Sequence, residues 1–323
     1  MTLPLPDFFD PAQVAEVYIE RAALVAAEAA TYQQRHQVPP AAQDACKIAA
    51  FGIDCQVGFC TPGASLFVSG AVEDMQRTLV WLYSNLDKVS HLLFSLDTHR
   101  VFQIFHPAWW TNAQGQHPAP LSTITADEVR TGVWIPRSHQ QECLEYCEKL
   151  EAGGKYVLTI WPYHVLLGGV SHTLVPALME AAILHSLVRQ QQAHFEIKGM
   201  HPLTENYSVL SPEVHELGGQ TIGAFNEPFF RTLLTYDRVY VFGQAKSHCV
   251  RATLYDIRDH LQATDPGLAD KIWILEDAMS PVPAPPLEPL PPALDFPRLA
   301  EQTMEDCRQA GMHVVKTTEP ITV

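Results

Sequence analysis

The chain has 323 residues, 47% of them hydrophobic, enough to bury a substantial core and within range for one α/β domain that carries insertions. Its formal net charge of -15, from 21 Lys+Arg against 36 Asp+Glu, leaves no face that can be strongly basic and argues against a nucleic-acid partner. Seven scattered cysteines suit reduced thiols better than a disulfide framework, no apolar run approaches a membrane span, and Met1-Thr2-Leu3-Pro4-Leu5-Pro6 lacks a signal-peptide pattern, so the expectation is a cytoplasmic protein with no membrane contact.

Residues 1–45 read as a helical extension. Pro11 to Gln34 has helical spacing, Asp10 stands before Pro11 as a cap, and Pro39-Pro40 ends the helix; its expected role is to cover a face of the main domain or of a partner subunit, which leaves a homo-oligomer open. Residues 46–323 form the main domain. Its first strand, Lys47 to Asp54, is an apolar run that ends on an acid, and Val72, Met75, Leu79, Leu82 and Leu86 then mark an amphipathic helix. A second strand, His91 to Leu96, ends on Asp97-Thr98-His99.

Arg100 to Gly154 is irregular and holds Trp109, Trp110 and Trp134 with several prolines and histidines, so it is expected to be an insertion over the site. Within it a short helix runs from about Ser138 to Leu150 with Gln141 as a capping-box partner, and Gly153-Gly154 is its C-cap. Cys143 and Cys147 lie one turn apart without a second pair, a pattern that favours packing over zinc ligation.

Lys155 to Ile160 is expected to resume the sheet and lead into Trp161-Pro162-Tyr163-His164, followed by a helix from about Leu174 to Gln191. His194 to Ile197 ends on Lys198-Gly199. A helix near Glu227 to Leu234 precedes the strand Val239 to Phe242. That strand turns through Gly243 to Ser247 into a helix over Cys249 to Leu261, with Ser247 as its expected N-cap. Lys271 to Leu275, the proline-rich surface connection Pro281 to Pro297, the helix Leu299 to Ala310 and the strand-like His313 to Lys316 complete the chain.

Six or so apolar runs that alternate with helices specify an α/β protein with a parallel sheet covered on both faces. Asp54, Asp97 with His99, His164, Lys198 and Cys249 then follow five different strands, at the edge where such sheets place their sites. No GxGxxG follows the first strand and no Walker sequence occurs, which weakens a nucleotide-binding reading.

A cysteine at a helix start is expected to favour thiolate over thiol. A thiolate, a carboxylate that carries protons and an ammonium that steadies both make a coherent set, which Cys249, Asp54 and Lys198 can supply. Asp97, His99 and His164 offer the hard and borderline ligands that suit zinc, iron or manganese. Each residue alone has a structural alternative: Asp54 as a helix cap, Lys198 as a solvated charge, Cys249 as core filler, the other three as polar loop residues.

Ile53-Asp54-Cys55-Gln56 with Phe59 and Gly63, Asp97-Thr98-His99, Trp161-Pro162-Tyr163-His164, Ile197-Lys198-Gly199 with Tyr207-Ser208, and Ala245 to Val250 together resemble the nicotinamidases, members of the isochorismatase-like cysteine hydrolases. The resemblance runs from about Lys47 to about Asp277 in the family's order, interrupted by the insertion. It implies a three-layer α/β/α fold with a mostly parallel sheet of about six strands.

The resemblance also implies Asp54 as general base and acid, Lys198 as its charge partner and Cys249 as nucleophile. The Ala245 and Cys249 N–H groups would form the oxyanion site beside a cis Gln244–Ala245 peptide. Phe59 and Trp161 would sandwich a pyridine ring, with Gln56 and Tyr207 as further substrate contacts. One divalent ion, zinc before iron or manganese, would be held by Asp97, His99 and His164, with His106 as a further candidate ligand.

The implied reaction is hydrolysis of nicotinamide to nicotinate and ammonia through a thioester. Alternatives are a sibling cysteine amidase acting on another small amide or ureide, and a metal-binding module without turnover. The chain departs from the family's pattern at Ser247, which stands where an acid is often found, with Lys246 before it, and in the insertion, which is expected to narrow or cover the pocket.

Overall fold

The computed structural model describes residues 2–153, 157–286 and 288–322. Six strands form the central sheet: β1 (Ile48–Ile53), β2 (His91–Asp97), β3 (His194–Lys198), β4 (Arg238–Gly243), β5 (Ile272–Leu275) and β6 (His313–Val315). Their spatial order is β6-β5-β4-β1-β2-β3, and every neighbouring pair is parallel. The chain starts in the middle, winds to one side and later to the other, so a crevice opens where β1 lies between β2 and β4.

Nine helices are described: α1 (Ala22–His36), α2 (Val57–Cys60), α3 (Ala71–Ser84), α4 (Ala126–Arg130), α5 (Gln140–Gly153), α6 (Pro176–Arg189), α7 (Glu227–Leu234), α8 (Cys249–Thr264) and α9 (Phe296–Gln309). Side chains on β1 point alternately to the two faces. Ala49, Phe51 and Ile53 enter a core with α7 and α8, and Ile48 and Ala50 enter a second core with α3 and α6. These two cores and the sheet between them are the three layers the sequence implies. Among the described residues no helix is long and apolar enough to cross a membrane.

Four local expectations are corrected. The N-terminal helix is two pieces: a 3-10 turn at Pro11–Ala15 capped by Asp10, then α1, which starts only at Ala22. Between them Arg21 gives its backbone N–H, Nε and Nη2 to the buried Glu180 of α6, each at 2.8 Å, and this tertiary anchor overrides local helix propensity. Second, the run from Lys155 to Ile160 does not enter the sheet. Lys155 and Tyr156 lie outside the described residues, and Leu158–Thr159 pairs antiparallel with Thr123–Ile124 of the insertion, so β3 takes the place beside β2.

Third, α5 begins at Gln140, which puts Gln141 too early for a capping box; the box forms at Thr125 and Glu128 of α4 instead. Gly153 is the last residue of α5 and Gly154 lies outside the described residues. Fourth, Ser247 does not cap α8. His248 holds that position without a side-chain cap bond, and the Ser247 hydroxyl faces Val282 and His248. Cys143 and Cys147 pack as read: both are buried, and Cys143 Sγ accepts the Trp109 indole N–H at 3.2 Å.

His185 of α6 makes a pH prediction for stability. Its Nε2–H donates to Val89 O at 2.9 Å, and burial pushes the imidazole down from 6.5 to about 3. The unfolded chain therefore takes up a proton that the folded one refuses, so stability is full above about pH 6.5 and falls as the pH drops toward 3. Between about pH 7 and pH 5 this one residue costs about 2 kcal/mol, read as a falling melting temperature. A His185→Gln variant is expected to show a shallower fall over the same range.

Candidate active site

The carboxyl ends of β1, β2, β3 and β4 converge on one buried cluster. β4 ends at Gly243, whose φ is +124° and whose position would bring a Cβ within 2.0 Å of Ile53 O, so only glycine allows the two strand ends to close up here. The Gln244–Ala245 peptide that follows is cis. Cys249 opens α8 at the first helical position, where its backbone N–H has no intrahelical acceptor.

The pairing register between β2 and β3 sets Asp97 beside Lys198. Lys198 Nζ lies 3.0 Å from Asp54 Oδ2, 3.0 Å from Asp97 Oδ1 and 3.7 Å from Cys249 Sγ, and it donates to Asn206 O at 2.7 Å. Asp54 sits just past β1 in the left-handed region, at φ +49°, with Oδ1 accepting the Ser95 hydroxyl at 2.6 Å. The structure thus brings Asp54, Lys198 and Cys249 together, and joins Asp97 to them through the lysine.

Electrostatics correct the expectation of a resting thiolate. Burial pushes the Cys249 thiol well above its usual value, Lys198 pulls it back, and the Asp54 and Asp97 carboxylates push it up again. Burial is the largest of these causes and Lys198 does not offset it, so the thiol form is favoured in spite of the helix start. Lys198 is held charged despite its burial because Asp54 and Asp97 both face it. Burial raises Asp54 while Lys198 lowers it, a balance suited to a group that gains and loses a proton.

Against this cluster lies a pocket of ≈ 420 Å³ including its mouth, largely apolar, with Phe59, Leu66, Val68 and Val282 among its walls. Trp161, Tyr207, Ala245 and Cys249 line it as well, and the Trp161 indole N–H donates to the Tyr207 hydroxyl at 3.1 Å. Gln56 is not part of it. Its Oε1 accepts the Asp97 N–H and its Nε2 donates to Asp97 O and His172 O, so both N–H groups of this fully buried amide are spent on bracing the backbone. The insertion also differs from expectation: none of residues 100–153 lines the pocket. It supports the site from behind, with Phe105 O accepting the Trp161 N–H at 2.8 Å and Tyr146 Oη accepting the Glu205 N–H at 3.0 Å.

Beside Lys198 is a set of donors fit for a metal ion. His99 Nε2 is 3.1 Å from Asp97 Oδ1, and His164 Nε2 is 3.9 Å from Asp97 Oδ2. The ligand atoms of His99, His106 and His164 lie within 4.8 Å of one another, as do those of Asp97, His99 and Glu205. Both His99 ring nitrogens, His106 Nε2 and Glu205 Oε2 are buried without a hydrogen bond among the described residues, as groups that await an ion are.

The His164 Nδ1–H donates to Pro162 O at 2.7 Å, which aims the Nε2 lone pair at the cluster. Burial and the nearby His99 push His164 down to about 3, so its imidazole is neutral at any ordinary pH. Burial opposes a charge on His99, but Asp97 and Glu205 beside it raise it to about 9. Glu205 escaped the sequence reading. Its signal was an acid two residues before Tyr207 in the loop after β3, obscured because the ligands expected all followed β2 or Trp161.

No protein-family model matches the chain, and no curated protein matches it by sequence. Solved structures do match. An Acinetobacter baumanii nicotinamidase/pyrazinamidase is 17% identical with a TM-score of 0.53, over 85% of this chain and 99% of that one. The yeast nicotinamidase Pnc1p is 17% identical with a TM-score of 0.52, over 83% of this chain and 99% of that one. The same yeast enzyme bound to the inhibitor nicotinaldehyde gives 16% and 0.51, over 83% and 99%. With its six-stranded parallel sheet and flanking helices, this chain has the α/β fold of these solved nicotinamidase structures.

Proposed function

We propose that the protein is a cysteine amidohydrolase that converts nicotinamide to nicotinate and ammonia through a thioester on Cys249. The observation that carries the reading is the buried contact of Cys249 Sγ, Lys198 Nζ and the Asp54 carboxylate at the floor of an aromatic pocket. Asp54 takes the S–H proton and the sulfur attacks the amide carbon. The oxyanion is met by the Ala245 and Cys249 N–H groups, and Asp54 returns the proton to the departing nitrogen, which leaves as ammonia. A water then gives its proton to Asp54, attacks the thioester and releases the acid with the thiol restored. Lys198 keeps net charge low at each stage, since it faces Asp54 and the sulfur together.

Phe59 and Trp161 both line the pocket and would stack on a planar ring bound there. Asp97, His99 and His164, with His106 and Glu205 as further donors, would hold a divalent ion that supplies a Lewis-acid position for a ring nitrogen. Zinc suits the imidazole-rich set, and iron and manganese also fit.

The test is ammonia release from pyridine carboxamides, benzamide and ureides by metal-replete protein. Nicotinamide should exceed benzamide by roughly a hundredfold or more, because benzamide has the shape without the nitrogen. Preferred turnover of a ureide or of benzamide would move the substrate to that class. A Lys198→Met variant is expected to lose roughly a hundredfold or more in kcat. Loss of the cation removes what pulls the thiol pKa down, so the pH profile of Cys249 alkylation should move to higher pH. An unmoved profile would contradict the role of Lys198.

A further inference from the structure

The proline-rich connection does more than cross the surface. Val282, within it, lines the pocket beside Phe59, Leu66 and Val68. Its N–H donates to the Ser247 hydroxyl oxygen at 3.0 Å, and that hydroxyl also pairs with His248 Nδ1 at 2.9 Å. Two residues earlier, Ser280 O accepts the Lys246 N–H at 2.9 Å and the Ser280 N–H donates to Gln244 Oε1 at 3.3 Å.

Further along, α9 closes over the same loop. The Phe296 ring sits 4.8 Å from the His248 ring, and Glu301 Oε1 takes the Lys246 ammonium at 2.8 Å. The Lys246 side chain is only 7% exposed while that of Glu301 is 71% exposed, so the cation lies under the segment and its partner reaches in from outside. Every residue from Gln244 to His248 except Ala245 is thus held by one or more of Ser280, Val282, Phe296 and Glu301. The prolines at 281, 283, 285 and 286 fix φ along it, so Val282 is carried on a stiff strip rather than a free loop.

We propose that this segment is the outer wall of the substrate pocket, with Val282 as the specificity-determining residue that limits the size of the bound ring and Ser247 as the positioning residue that holds Val282 against the nucleophile loop. The substrate class follows: small planar amides whose ring carries no bulky group on the face toward Leu66, Val68 and Val282, and no charged one, since that wall is hydrocarbon. Ser247 occupies a position from which a hydroxyl can accept from Val282 and donate to His248 at once. A carboxylate there could do only the accepting.

The inference rests on the amidase reading for its substrates but not for its geometry, and the experiment separates the two. Val282→Ala, Val282→Phe, Ser247→Ala and Ser247→Thr proteins are compared in two assays. The first is the rate of Cys249 alkylation by iodoacetamide relative to N-phenylmaleimide. The second is kcat/KM for nicotinamide relative to ring-methylated and ring-ethylated nicotinamides. Val282→Ala is half-buried surface trimming that the fold should tolerate, and it is expected to shift both ratios toward the larger reagent by roughly tenfold, with Val282→Phe shifting them the other way. Ser247→Ala should shift them as Val282→Ala does, and Ser247→Thr should restore them.

If no amide is turned over while the alkylation ratio moves as stated, the wall stands and the amidase reading falls. If the alkylation ratio is unmoved in both Val282 variants, the wall is overturned whatever the substrate. Equal ratios in Ser247→Ala and wild type would remove Ser247 as the residue that positions it.

Discussion

Replacement of Cys249 by alanine is expected to abolish ammonia release, with kcat down by about ten-thousandfold or more, while the protein stays folded. The size of the loss follows from the mechanism: without sulfur no thioester forms, and the remaining groups can at most orient a water beside the amide. Asp54 would still be placed as a base, but the covalent step that splits one hard reaction into two would be gone. The fold should survive because the substitution removes one atom, and among the described residues the Cys249 side chain has polar contacts with Asp54 and Lys198 alone. A loss of about 1 kcal/mol is the scale for one small buried group. Steady-state ammonia release and a thermal melt on the same preparation check both halves. Activity within tenfold of wild type would contradict a covalent role for the sulfur.

The second large effect is expected from His99→Ala. His99 is the one residue common to the two donor groups, with His106 and His164 on one side and Asp97 and Glu205 on the other, so its loss leaves neither with three ligands. Metal content measured by elemental analysis should fall from about one divalent ion per chain to near zero, and nicotinamide turnover should fall by about a thousandfold with it. His106→Ala is expected to be milder on both counts, because His106 belongs to only one group. Full metal content in His99→Ala would place the ion elsewhere, and full activity in metal-free wild type would remove it from substrate binding.

How much of this was legible in the chain depends on which forces decided each residue. The strands that end at Ile53, Asp97, Gly243 and Leu275 are readable because buried parallel strands are short apolar runs, whereas β3, a half-exposed edge strand, is readable from its place in the alternation of strands and helices; the polar residues at or just past these ends mark the sheet edge. The sequence alone thus puts Asp54, Asp97, Lys198 and Cys249 in one neighbourhood. The run before Trp161 departs from the sheet for the same reason: Leu158 and Ile160 are buried and apolar, but their backbone bonds go to Leu121 to Ile124 in the insertion rather than to β2. Periodicity reports burial and cannot say against what.

Within the site, what could not be read is what depends on partners far away in sequence. Gln56 stands beside Asp54 and looks like a substrate contact, yet its amide is consumed by the backbone of Asp97 and of His172. Val282 is one valine in a proline-rich stretch, and nothing local distinguishes it from a surface residue. The state of Cys249 was misjudged because a helix start is visible in the chain, whereas the burial and the two carboxylates that outweigh it are not.

The covalent thioester is the central claim, and partition with hydroxylamine tests it most directly. Nicotinamide turnover is followed at increasing hydroxylamine, with nicotinate, nicotinohydroxamate and ammonia measured together. A nicotinoyl group held on Cys249 as a thioester is expected to divide between water and hydroxylamine, so hydroxamate should rise in proportion to the added nucleophile while ammonia release does not slow. Nicotinate as the sole acyl product at every hydroxylamine concentration, with ammonia release unimpaired, would show water attacking the amide directly and would contradict the mechanism.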